Sequence, residues 1–141
     1  CFALSDASEE DRQKIIIAAC FHDIGIWSDS TCDYLPPSME QARIYLDDQG
    51  LADWKEEIVQ MIDLHHKIRR VTGSKYPLVE LFRQADLVDV SLGLVRFGLP
   101  GEMIRQVKRA FPNAGFHMRL NQLAAAWILR HPLNPLPFVK W

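Results

Sequence analysis

Three groups of residues in this chain have the types and spacing to do chemistry: His22-Asp23, His65-His66, and Asp86 with Asp89. The first pair closes the most apolar run of the N-terminal half, Ile15 to Phe21. Burying an ionisable pair without compensation is costly, so Asp23 demands a partner. A helix C-terminus adds partial negative charge at the same point, which makes a cation the natural occupant. A divalent ion would satisfy imidazole, carboxylate and helix end together. Adjacent residues on a helix point about 100° apart, so both reach one ion only at a terminating turn, for which Gly25 is placed as a stop. The competing reading of the pair is a structural salt bridge or a hydrogen-bonded helix terminus.

His65 falls on the apolar face of a long expected helix and His66 borders that face. Asp86 and Asp89 lie one helical turn apart within the apolar segment 81–94. Asp86 is the candidate ligand, and Asp89 reads as its support or as an arginine's partner. Three helices thus each push ionisable groups toward a common interior, as in a polar site built inside a helical bundle. Lys67, Arg69 and Arg70 form a basic run, and Arg83 stands one turn before Asp86; together they would suit a phosphate, although each alone reads as part of a solvated face. Cys20 reads as core packing.

Ala18-Ala19-Cys20-Phe21-His22-Asp23-Ile24-Gly25, then Leu64-His65-His66, then Gln84-Ala85-Asp86-Leu87-Val88-Asp89 resembles the HD-domain superfamily of metal-dependent phosphohydrolases. The resemblance covers about residues 18–94. It implies an all-α bundle and a divalent ion held by His22, Asp23 and Asp86. In such a site Asp23 would also orient the nucleophilic water and His65 or His66 would act in catalysis, while the basic Lys67, Arg70 and Arg83 are the candidates for binding the phosphate. The reaction implied is hydrolysis of a phosphate ester of a small molecule or nucleotide. The family's first metal His belongs on the preceding helix, yet residues 1–21 contain none. The apolar residues 1–4, ahead of a capping sequence, read as the tail of a helix that begins upstream. Members with two metals carry another His where this chain has Ser38-Met39-Glu40-Gln41-Ala42, so one ion is expected. Nitrogen and oxygen donors of this kind admit Mn, Fe, Co, Ni, Zn or Mg alike. The alternatives are a non-catalytic helical module with a degenerate metal site and an iron-dependent oxygenase of the same superfamily.

The elements that must position these groups read as helices from end to end. Asp6 and Ser8 are N-cap residues ahead of Glu9, Glu10 and Asp11, predicting a helix to about residue 23 that is apolar on every side and therefore central. Ser38 is placed to cap a helix over about 39–48. Asp53 and Glu56 form a capping-box pattern for the longest helix, about 54–71, whose buried face includes Trp54, Ile58, Met61, Ile62, His65 and Ile68. Pro77 suits the first turn of the next, and two more follow over 100–111 and 116–130. Pro132, Pro135 and Pro137 forbid a regular element in residues 132–141, an expected extended tail anchored by Leu136, Phe138 and Trp141. The fold expected is all-α, an irregular bundle of about six helices.

Composition bounds the rest. At 141 residues the chain is the size of one domain, and a net charge of -2 leaves no global positive excess for an extended nucleic-acid surface. The expected partner is a small phosphorylated substrate instead. The longest apolar runs, Ile15 to Phe21 and Leu123 to Leu129, fall far short of the roughly 20 residues a bilayer span requires. Three unevenly spaced cysteines fit a reducing compartment better than a disulfide framework, and a cytoplasmic location is expected.

Overall fold

A computed structural model describes residues 1–112 and 115–140. It is all-helical, with α1 (Glu9–Phe21), the single-turn α2 (Gly25–Ser28), α3 (Leu35–Asp48), α4 (Lys55–Leu64), α5 (Pro77–Val90), α6 (Gly101–Ala110) and α7 (Phe116–Arg130). Among the described residues no helix is long and apolar enough to cross a membrane. The only β-type pairing among them is an isolated parallel bridge between Lys67 and Lys140.

The amphipathic α4 is the hub, packed by α1, α3 and α5. Its Ile58, Met61 and Ile62 are fully buried against Ile15 and Ala18 of α1, Ala42 and Leu46 of α3, and Leu78, Val79 and Phe82 of α5. Each such aliphatic side chain contributes about 1.5–3 kcal/mol by leaving water. Lys14 of α1 adds a shielded ion pair to Glu57 of α4 at 3.0 Å. A second cluster of Ile26, Cys32, Tyr34, Leu35 and Phe138 receives one face of α7. At the start of α1, Ser8 accepts from the Asp11 N–H and Asp11 accepts in return from the Ser8 N–H, a reciprocal cap.

Several local expectations are corrected. The first helix is not buried on every side: Ile16 is 51% exposed and Cys20 lies open to solvent, while Ile15 and Ala18, with Ile17 and Phe21 beside them, meet the core. Gly25 does not end a helix in the left-handed region. It opens α2, where an added Cβ would stand 2.4 Å from the Tyr34 carbonyl oxygen, so its missing side chain allows two backbones to approach. Ser38 caps nothing; it is buried inside α3, which starts earlier on Pro36 and Pro37, and its hydroxyl accepts the Gly25 N–H at 3.0 Å.

The expected helix 54–71 is a 3₁₀ turn (Ala52–Trp54) followed by α4, which stops at Leu64. Ile68 consequently leaves the buried face and is exposed. The tail is a succession of turns rather than an extended strap. Phe138 anchors it, Leu136 is largely exposed, and Lys140 pairs with Asp63. Asn113, Ala114 and Trp141 lie outside the described residues.

Candidate metal centre

The ends of α1 and α4 are built alike. After α1, the His22 Nδ1–H donates to the Ala19 carbonyl at 2.8 Å; after α4, the His65 Nδ1–H donates to the Ile62 carbonyl at 2.6 Å. A carbonyl can only accept, so Nδ1 carries the hydrogen in both rings. Each imidazole takes the oxygen that the next N–H would bond in a continued helix, which is why both helices stop there. The chain after His65 then turns onto the tail, with the Ile68 N–H donating to the Lys140 carbonyl at 2.8 Å.

With Nδ1 tied back, both Nε2 atoms face Asp23. His22 Nε2 is 3.0 Å from Asp23 Oδ2, and His65 Nε2 is 3.7 Å from Asp23 Oδ1. The second gap is too long for a hydrogen bond. It is slightly wider than the roughly 3.0–3.5 Å that bonds of about 2.0–2.2 Å would set between two ligands of one ion. His66 contributes from the same turn, its ring centroid 4.1 Å from that of His65. Its Nδ1 is 3.3 Å from Asp86 Oδ2, and its Nε2 is 2.7 Å from the Tyr34 hydroxyl. Asp23, His65 and His66 offer donor atoms that all lie within 4.8 Å of one another, the arrangement of a site that could hold a metal ion.

Asp23 Oδ1, His65 Nε2 and Asp86 Oδ2 are buried with no hydrogen-bond partner. Orphaned polar atoms converging in one place are uncommon in a native interior and point to a missing charge. Electrostatics agree. Burial opposes a charge on His22, but the hydrogen bond and charge of Asp23, helped by Asp86, lift it to about 9. Burial would raise Asp23 as well, yet the imidazoles of His22 and His65 hold it far below the usual carboxylate range. Burial pushes Asp86 up to about 6 and His66 down to about 3. A proton on His22, paired with Asp23, thus supplies the positive charge that a cation would otherwise bring.

His22, Asp23, His65, His66 and Asp86 therefore form one cluster of neighbouring side chains. The expected basic contacts fare differently. Arg83 is 4% exposed and committed: it donates to both Glu80 oxygens at 2.8 Å and to the Lys67 carbonyl at 3.2 Å, clamping α5 to the turn after α4. That removes it as a phosphate ligand. Lys67 follows His66 directly but its backbone is held in the same clamp and in the bridge to Lys140. Arg70 is exposed and borders a separate groove with Tyr76, Glu80 and Gln84. Asp89 is exposed, and no arginine pairs with it among the described residues.

Tyr34 is the participant that sequence reasoning missed. Fully buried ahead of α3, it reaches His66 with its hydroxyl and stacks on Phe138 of the tail, ring centroids 5.4 Å apart. Nothing in Asp33-Tyr34-Leu35-Pro36 marks it; only the close approach at Gly25 brings it in. Comparison with family models, curated proteins and solved structures finds no match to this chain.

Proposed function

We propose that the chain is a metal-dependent phosphohydrolase of the HD-domain kind, acting on a phosphate ester of a small molecule or nucleotide. One observation carries the reading: Asp23, His65 and His66 offer donor atoms within 4.8 Å of one another, and Asp23 Oδ1 and His65 Nε2 among them are buried without a hydrogen-bond partner. Asp23, His65 and His66 would hold one divalent ion, with His22 and Asp86 beside them. The bound ion would lower the pKa of a water and polarise the phosphoryl oxygen. The Nδ1–H of each ring that flanks Asp23 is held by a carbonyl, so an ion that displaces the Nε2 proton of His22 would meet both rings through Nε2. With its Nε2–H donating to the Tyr34 oxygen, His66 would offer Nδ1 to an ion, and Tyr34 would set that ring's orientation. Asp86, 3.3 Å from His66 Nδ1, would support that side of the site.

The test is metal analysis of the purified chain followed by a phosphatase screen with Mn, Fe, Co, Ni, Zn and Mg in turn. Bound metal and metal-dependent phosphate release that is lost in Asp23→Asn and His65→Ala support the proposal. A metal-free, inactive protein whose His65→Ala variant is unchanged in stability would sink it.

One observation favours a second reading, a non-catalytic helical module. The His22–Asp23 pair at 3.0 Å, with Asp86 able to hold a proton, can neutralise the cluster unaided. Folding unaffected by every divalent ion would favour that alternative.

A further inference from the structure

Four of the chain's 16 basic residues, Arg96, Arg105, Lys108 and Arg109, line one cleft of about 370 Å³ between the 91–100 segment and α6. The whole chain carries a net charge of -2, so this concentration runs against its overall sign. Two features give the cleft a shape. Arg96 is steered by its Nε–H, which donates to the Gly93 carbonyl at 3.0 Å. Gly101 keeps the floor open: a Cβ there would stand 2.9 Å from Arg96 Nη1 and 3.7 Å from Arg105 Nη1. Two guanidinium groups therefore border the same small space, with Glu102, paired to Arg105, as the nearby carboxylate. Like charges held together repel, and an anion between them relieves that repulsion through charge-assisted hydrogen bonds.

The basic cleft continues into an apolar one. Both are lined by Ile104 and Lys108, and the second, of about 170 Å³, adds Leu99, Met103 and Val107 on one side and Ala85 and Asp89 of α5 on the other. Ala85 and Asp89 lie on either side of Asp86 in sequence, so the apolar cleft runs along the helix that carries Asp86. The α6 helix buries none of its residues completely, leaving this amphipathic face open.

We infer that the paired clefts bind a small organic phosphate or diphosphate, its anionic group among Arg96, Arg105, Lys108 and Arg109 and its apolar body over Leu99, Met103 and Val107. The inference is independent of whether the His–Asp pocket takes a metal, and it is tested with metal chelated. Titration calorimetry on the full chain in EDTA, with inorganic phosphate, pyrophosphate, sulfate and octyl phosphate below its micellar concentration, reads it directly. One-to-one binding is expected, with octyl phosphate at least tenfold tighter than inorganic phosphate and pyrophosphate tighter than sulfate. Arg105→Gln combined with Lys108→Gln should weaken both organic phosphate and pyrophosphate about tenfold at an unchanged melting temperature, since neither side chain belongs to the core. Gly101→Ala displaces the Arg96 guanidinium without altering charge, and should weaken pyrophosphate about threefold.

No saturable binding, or unchanged affinity in the double variant, would overturn the site. Unchanged affinity in Gly101→Ala would overturn the placement of the anion between the guanidiniums. Co-sedimentation with phosphatidylglycerol vesicles in the absence of any binding of soluble phosphates would likewise overturn it, in favour of a lipid-facing patch.

Discussion

Replacing Asp23 by Asn should nearly abolish metal-linked stabilisation, read against the variant's own metal-free melt because the His22 ion pair is lost with it. Asp23 is the pivot of the pocket: its two oxygens face His22 Nε2 at 3.0 Å and His65 Nε2 at 3.7 Å, and Oδ1 has no hydrogen bond to lose. A ligand that binds only the native state stabilises it by about 2.7 kcal/mol at a hundred times its dissociation constant. For a chain of this size each kcal/mol moves the melting temperature by roughly 3–4 °C, so saturating Mn should raise it by about 8–10 °C. Removing the anionic oxygen should weaken the ion about a hundredfold. At the same Mn concentration the site is then half occupied, worth about 0.4 kcal/mol, and the shift shrinks to about 1 °C. Differential scanning fluorimetry, with each variant compared to its own EDTA-treated form, measures this. Asp48→Asn, at an exposed carboxylate on α3, should keep the whole shift. Coincident melts of the unaltered chain with and without every divalent ion tried, or a full shift in Asp23→Asn, would refute the reasoning.

The remaining expectations concern the frame around the pocket. Arg83→Met should destabilise the chain by about 2–4 kcal/mol in urea melts, because it leaves Glu80 and the Lys67 carbonyl without their buried partner. Glu80 itself gives a pH signature. Burial would raise it, but Arg83, Gln84 and the Val71 N–H hold it at about 2. Its contribution of about 1–2 kcal/mol, reduced for the solvent that reaches it, is present above its ordinary value near 4.5 and is lost as pH falls toward 2. Urea melts at pH 6 and pH 3 should show that difference, and Glu80→Gln should remove it. Gly25→Ala should cost about 2–3 kcal/mol by forcing a Cβ against the Tyr34 carbonyl, and should weaken Mn binding in the same titration by moving Tyr34 off His66.

The helical class and the residues of the centre were legible in the sequence because they rest on local rules. Apolar spacing, the Ser8 cap and Pro77 at a first turn specify helices whatever surrounds them, and ionisable residues inside apolar segments stand out against their neighbours. His22, Asp23, His65 and Asp86 were visible in that way. Their arrangement was not. Helical spacing carried the fourth helix through His65 to residue 71, whereas the imidazole on the Ile62 carbonyl and the tail on Ile68 end it at Leu64. Both are contacts whose partners only the fold supplies. Arg83 looked free for phosphate because nothing in its spacing reveals that Glu80 and the Lys67 carbonyl converge on it.

Tyr34 and the cleft at Gly101 belong to the same class, created by close backbone approach or by the meeting of segments. What the sequence alone determined is which chemistry the chain carries: imidazoles and carboxylates committed to an apolar interior. Tertiary structure decided which atoms meet, since a hydrogen bond or an ion's ligand set depends on tenths of an ångström between segments that sequence spacing leaves unconstrained.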